Sequence, residues 1–164
     1  MDDDSREEPV LRVVLYRPEI HPNTGNVARL CAANRIPLYL VGNLGFRVDD
    51  KSVRRAGLDY WPYVDLQLLE SIEEVRRMLS GARLYFFSAR ARRPYTDVQY
   101  RPGDCLVFGP ESRGLPQALL DDNPEHSLSI PMASPHVRSL NLASAVAVAV
   151  YEALRQRGDA GRPR

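Results

Sequence analysis

Residues 143–150 read Ala-Ser-Ala-Val-Ala-Val-Ala-Val, eight small side chains with no charge among them. Alternating Ala and Val satisfies the period of a strand, but the length of the run and its alanine content favour a helix. A helix that is apolar on all sides has to be covered on all sides. A chain of 164 residues has little of its own to do that with, so the run points to a partner subunit. Upstream, Leu128–Ile130 reads as a short strand ended by Pro131, and Arg138, Ser139 and Asn141 crowd polar groups at the helix start. A loop of polar and small residues between a buried strand and a buried helix is where an α/β protein places a ligand. An ordinary last strand–helix unit with an Asn cap has the same local pattern.

The length fits one domain. The expected boundaries are an acidic, disordered head over 1–9, one domain over 10–157, and a disordered Gly/Pro/Arg tail over 158–164. The head concentrates Asp2, Asp3, Asp4, Glu7 and Glu8 against Arg6. From Pro9 onward acids fall from 21 to 16 and bases from 22 to 21, so the body carries +5. Its cations are arginines except for Lys51. The guanidinium fork suits phosphate, although codon bias accounts for most of such a preference, and where the arginines cluster is more informative than their number. There is no uncharged segment long enough for a membrane span and no apolar core of a secretory signal. Cys31 and Cys105 lie in apolar runs without metal-ligand spacing, which predicts buried reduced thiols, no metal site and a cytoplasmic protein.

Leu11–Tyr16 reads as a buried strand. After Pro18 and Pro22, Asn23 can cap a helix carried by Ala, Leu and Cys to about Asn34, and Pro37–Val41 is the next strand. Two strands around one helix make a parallel unit. Ser71 and Glu74 form a capping box for a helix that reaches Ser80 before Gly81. Leu84–Phe87 and Asp104–Phe108 are further strands, and 118–120 belong to a short helix. Polar groups follow the strands. Arg90, Arg92 and Arg93 lie in the loop after Phe87, and Glu111 and Arg113 sit between Gly109 and Gly114. In the middle, Lys51, Arg54 and Arg55 precede Tyr60 and Trp61. Cations beside aromatics suit RNA, while a solvated helix next to a core Trp is the plainer alternative.

Three segments now stand in order: NTGNVARLCAA, FGPESRGLP, and SIPM followed by RSLNLASAVAVAVYEA. Together they resemble the three signature motifs of the SPOUT superfamily, and within it the SpoU/TrmH-type RNA 2′-O-ribose methyltransferases. The resemblance covers roughly residues 11–156. With LYRPEI, RRAGLDYW and no added RNA-binding domain, the chain is most similar to the members that methylate the ribose of the tRNA wobble nucleotide, C34 or U34. The resemblance implies an α/β parallel sheet flanked by helices, whose C-terminal part threads a deep trefoil knot. It implies a homodimer formed through the C-terminal helix, S-adenosyl-L-methionine as cofactor, and the anticodon stem-loop of tRNA as partner, with no metal and no membrane. Its cofactor pocket falls here on Phe87, Gly109, Ile130, Ser139 and Leu140. Its catalytic positions fall on Arg29, Asn26, Glu111 and Asn141. Arg54, Arg55, Arg90, Arg138 and Tyr151 are the positions expected to meet RNA. The chain departs from the pattern in two places. The loop between Met132 and Arg138, which contains His136, is about one residue longer, and the loop after Phe87 is richer in arginine.

The chemistry implied is in-line methyl transfer from a sulfonium to a ribose hydroxyl, which depends on positioning rather than on a metal. A guanidinium stays protonated, so Arg29 is expected to act electrostatically, with an RNA phosphate or water taking the proton. His21 and His126 are expected at the surface, and His136 is a minor candidate base. Ribose methylation at another tRNA or rRNA position is the alternative, and a non-catalytic RNA-binding module is the alternative of a different class. A nucleotide-binding protein of the doubly wound type is disfavoured, because no Gly-x-Gly-x-x-Gly follows the first strand.

Overall fold

The computed structural model describes residues 8–48 and 59–158. Seven strands form one sheet: β1 (Arg12–Tyr16), β2 (Leu38–Val41), β3 (Leu66–Leu69), β4 (Leu84–Phe87), β5 (Arg93–Pro94), β6 (Cys105–Phe108) and β7 (Ser127–Ser129). The order across the sheet is β3-β2-β1-β6-β4-β7-β5, and every pairing is parallel. The helices are α1 (His21–Ala33), α2 (Ile72–Met78), α3 (Gln117–Asp121) and α4 (Leu142–Gln156).

The unbroken apolar runs are explained by cover on both faces, as parallel sheets require. Val13, Leu15, Leu38, Leu40, Leu106 and Phe108 point to a core shared with α1 and α4. Their neighbours Val14, Tyr39, Val41, Phe86 and Val107 point to a second core shared with α2 and α3. Helix α4 buries Leu142, Val146, Ala149, Val150, Ala153 and Leu154. Its other side carries Ser144, Val148, Tyr151 and Arg155 to the surface, so one stripe of the apolar run is left outside this chain's core.

Several expectations shift. Helix α1 begins at His21, with Ile20 as its N-cap, Pro22 in the first turn, and no side-chain cap. Asn23 is not the cap, because it is buried and accepts a hydrogen bond from Asn141 instead. Ser71 does cap α2, accepting from the Glu74 N–H at 3.1 Å, while Glu74 reaches back to the N–H of Glu70 rather than of Ser71. Strand β7 starts one residue earlier than expected and stops before Ile130. Strands β3 and β5 have no counterpart in the sequence-based expectation. Each is at an edge of the sheet, where an irregular pattern and even a proline are tolerated.

Candidate functional site

The chain runs outward from β1 to β2 and β3, then returns to build β4, β6 and β7 on the other side of β1. The order thus reverses between β1 and β6, and a crevice opens at the carboxyl ends of the strands at such a switch point. The cleft there has a volume of about 870 Å³. Ile20 and Asn23 after β1, Phe87–Arg90 from β4, Phe108–Gly114 from β6, and Ile130, Met132 and residues 138–142 after β7 line it.

Its apolar wall is Phe87, Ile130 and Leu140, and the Phe87 ring is stacked on Phe108 at 4.7 Å. Gly109 makes the turn possible. A Cβ there would lie 2.3 Å from the Leu115 nitrogen and 2.4 Å from the Gly114 carbonyl carbon. Gly114 has φ 68°, a left-handed conformation that costs glycine nothing sterically. Every residue expected to hold the cofactor, namely Phe87, Gly109, Ile130, Ser139 and Leu140, lines this one cleft.

Glu111 lines it too. Its Oε2 accepts from the backbone N–H of Glu19 at 2.7 Å. Its Oε1 is buried and has no hydrogen-bond partner among the described residues. Asn141 caps α4, its Oδ1 accepting from the Ser144 N–H at 3.2 Å, and its amide donates to Asn23 Oδ1 at 3.0 Å. One side chain thereby starts the last helix and ties it to the first turn of α1. From Ala133 to Asn141 every residue is exposed, so this long loop forms the outer rim of the cleft.

The arginines divide into two kinds. Arg90 lines the cleft, but its guanidinium donates to Gln117 Oε1 at 2.7 Å and to the Leu115 carbonyl. It works as a strut between the β4 and β6 loops. Arg93 likewise donates to the carbonyls of Glu125 and Asp97. Arg138 lines the cleft and is exposed. Arg29 and Asn26 lie on the exposed side of α1 and do not line the cleft, and the Arg29 guanidinium sits 5.8 Å from the centre of the Tyr60 ring. Tyr60 donates to the Gly25 carbonyl, and burial raises its phenol pKa. Tyr151 is also outside the cleft, on α4, where its hydroxyl accepts from the Asn34 amide at 3.4 Å. Arg54 and Arg55 lie outside the described residues.

The histidines are placed differently from expectation. His126 is half-buried. Its ring is stacked on Tyr85 at 4.7 Å, with Nδ1 3.0 Å from the Leu84 carbonyl, because it directly precedes a buried strand. His21 packs edge-on against Phe46. His136 is exposed and outside the cleft lining. Burial raises the Cys31 thiol to about 12 and the Cys105 thiol to about 11, so both are inert. Among the described residues no helix is long and apolar enough to cross a membrane, and no group of His, Cys, Asp and Glu could hold a metal ion.

The chain matches the SpoU rRNA Methylase family over residues 10–151. It belongs to that family. The tRNA (cytidine(34)-2′-O)-methyltransferase of Aeromonas hydrophila is 47% identical to this SpoU methylase over 153 residues, which are 93% of this chain and 97% of that one. A solved structure described as giving insights into the 2-OH methylation of C/U34 on tRNA is 52% identical, with a TM-score of 0.84 over 93% of this chain and 97% of its own. The SpoU methyltransferase AviRb of Streptomyces viridochromogenes, solved with its cofactor AdoMet, is 30% identical with a TM-score of 0.76, over 96% of this chain and 60% of that one.

Glu19 and Ser112 fall within the LYRPEI and FGPESRGLP segments, but neither was assigned a role from the sequence. Beyond those segments the signal was position, since both sit in loops that leave the carboxyl end of a strand.

Proposed function

We propose that this SpoU methylase transfers a methyl group from S-adenosylmethionine to the ribose 2′-hydroxyl of nucleotide 34 in tRNA. The observation that carries the reading is the convergence of the loops after β4, β6 and β7, with Asn23 of the first motif, on one cleft, in a chain that matches a wobble-nucleotide methyltransferase over 93% of its length. The cleft suits the cofactor chemically. Phe87, Ile130 and Leu140 supply an apolar wall, and Gly109 lets backbone approach closely. Ser139 and the unpartnered Oε1 of Glu111 offer polar contacts. The bound cofactor would supply an electrophilic methyl on a positively charged sulfur.

The protein's part is alignment. A well-held pair of reactants gains up to about 7–11 kcal/mol over the same pair free in solution. Asn141 fixes the rim of the cleft to α1, and Arg138 offers an exposed cation for an RNA phosphate beside it. Arg29 is a guanidinium and cannot serve as a base at neutral pH. Its role is to hold a phosphate and steady the developing alkoxide.

Arg29 does not line the cleft of its own chain, yet α1 and α4 are neighbours and both present a surface away from the core. A homodimer through α4 covers Val148 and Tyr151 and can bring one subunit's Arg29 to the other's cleft. The segment from β6 to α4 is proposed to form the trefoil knot, a reading supported by β6 lying between β1 and β4 while β7 lies beyond β4.

The test is methyl transfer from labelled cofactor to total tRNA, with the product nucleoside and its position mapped by mass spectrometry. The expected product is 2′-O-methylcytidine or 2′-O-methyluridine at position 34. Methylation of a base would sink the proposal, and methylation of another ribose would overturn the assignment to position 34.

A further inference from the structure

The Glu111 carboxylate is held from one side only, and what holds it lies far away in the chain. Its Oε2 accepts the backbone N–H of Glu19 at 2.7 Å, across 92 residues. The Glu19 side chain closes a second link, with Oε1 accepting from the Ser112 hydroxyl at 2.6 Å. The loop after β1 is thus pinned to the loop after β6 twice through Glu19, whose backbone N–H donates to the Glu111 carboxylate and whose own carboxylate accepts from the Ser112 hydroxyl. Gly45 packs directly against the Glu19 backbone, and its N–H donates to the Pro18 carbonyl at 3.0 Å. A Cβ at Gly45 would lie 2.9 Å from the Glu19 Cα and carbonyl oxygen. The outcome is that Glu111 Oε2 is occupied while Oε1, buried in the wall of the cleft, has no partner among the described residues.

We propose that Glu19 is a positioning residue for the methyl-transfer site: through its backbone N–H and its bond to Ser112, it aims the free oxygen of Glu111 at a hydrogen-bond donor of the bound ligand. A buried carboxylate oxygen without a donor is costly in the empty protein. That cost is relieved when a hydroxyl or amine enters. Such a donor can come from the cofactor or from the RNA ribose, and the two are separable by experiment. The inference rests on the cleft being the site of methyl transfer, not on which nucleotide is methylated.

The test is a mutant cycle read by kcat and KM on total tRNA, cofactor Kd by calorimetry, and thermal midpoint. Ser112→Ala and Glu19→Ala are each expected to lower kcat about tenfold, the scale of one hydrogen bond to a charged group. The thermal midpoint should move little, and Ser112→Thr should recover most of the loss. In a Glu111→Ala background, Glu19→Ala should cost less than about twofold, because its effect passes through the missing carboxylate. If Glu111→Gln weakens cofactor binding, the donor belongs to the cofactor. If it changes only kcat or KM for tRNA, the donor belongs to the ribose. The same loss from Glu19→Ala with and without Glu111, or a loss matched by a fallen thermal midpoint, would overturn the positioning role. Absence of methyl transfer by the unsubstituted protein would instead remove the functional reading on which it rests.

Discussion

The two ends of the sheet each hold a carboxylate and treat it in opposite ways. At the amino end Asp104 is 2% exposed, and all its demands are met. Arg83 binds both its oxygens, at 2.9 and 2.7 Å, and the Arg101 N–H adds a third bond. The same guanidinium lies over the Tyr85 ring, on which His126 is stacked. At the carboxyl end Glu111 is held by one oxygen only, and the nine residues from Ala133 to Asn141 are exposed. A closed network adds rigidity and little else, whereas an open one is useful only when something arrives to close it. The contrast separates the end that keeps the fold from the end that uses it.

The sharpest way to break this contrast is to open the closed end. Asp104→Ala leaves the Arg83 guanidinium, about a quarter exposed, without its carboxylate. Removal of one partner of such a pair is expected to cost about 3 kcal/mol of folding stability. Urea unfolding measures it, and kcat of the folded fraction should stay within about twofold of the unsubstituted protein. A large fall in kcat at unchanged stability would show that the two ends are not separate.

Gly109→Ala tests the other end. The added methyl meets the backbone of Gly114 and Leu115, which cannot yield as a flexible side chain could. The loop carrying Glu111 has to move, and a displacement of about 1 Å at a reacting centre can cost about a hundredfold in rate. Stability should fall less than in Asp104→Ala, because the loop lies at the rim. A variant with full activity would show that the close approach at Gly109 does not shape the site.

A third test joins the chains. If one subunit's Arg29 serves the other's cleft, Arg29→Ala and Glu111→Ala proteins, each strongly impaired but with measurable residual activity, should regain up to about a quarter of the unsubstituted activity when mixed and allowed to exchange subunits. That is the share of clefts combining both intact residues in a random mixture of symmetric dimers. No recovery despite exchange, followed by a mass-labelled copy, would return Arg29 to its own chain's cleft.

These ends were not equally legible in the sequence. The four central strands and both long helices announce themselves by apolar runs and by periodicity, because burial on two faces leaves no charged residue in 38–41, 84–87 or 105–108. Asn141 was legible as a cap and proved also to be a tie, its amide reaching Asn23. The cleft lining was legible only through resemblance, since glycine turns after strands are common and composition does not say which of them meet. Arg90 shows the limit most clearly. A cation in a basic loop predicts a ligand, but partners at Leu115 and Gln117, brought near only by folding, occupy it. Edge strands β3 and β5 were missed because each gives one side to solvent or loop and needs no continuous apolar pattern. The pair Arg83–Asp104 has no local signature at all, being made by two strands that start side by side.

The smallest effect expected concerns alkaline pH, and it falls on the closed end. Burial raises the pKa values of Tyr85 and Tyr100 there, and raises the Cys105 thiol from 9.0 to about 11. Below pH 9 folded and unfolded chains hold the thiol proton alike, so its contribution to stability is fully present. Between 9 and about 11 the unfolded chain releases a proton that the folded one keeps. Stability therefore falls as pH rises through that window. For Cys105 alone the loss by pH 10 is about 1 kcal/mol, and the tyrosines act in the same direction. Urea midpoints at pH 8, 9 and 10 measure the loss, and Cys105→Ala should flatten the curve while lowering its plateau through the cavity left behind. A midpoint constant to pH 10 would mean that the amino end admits water. The closed network would then differ from the cleft in degree only, and the division between the two ends of the sheet would fail at its stable side.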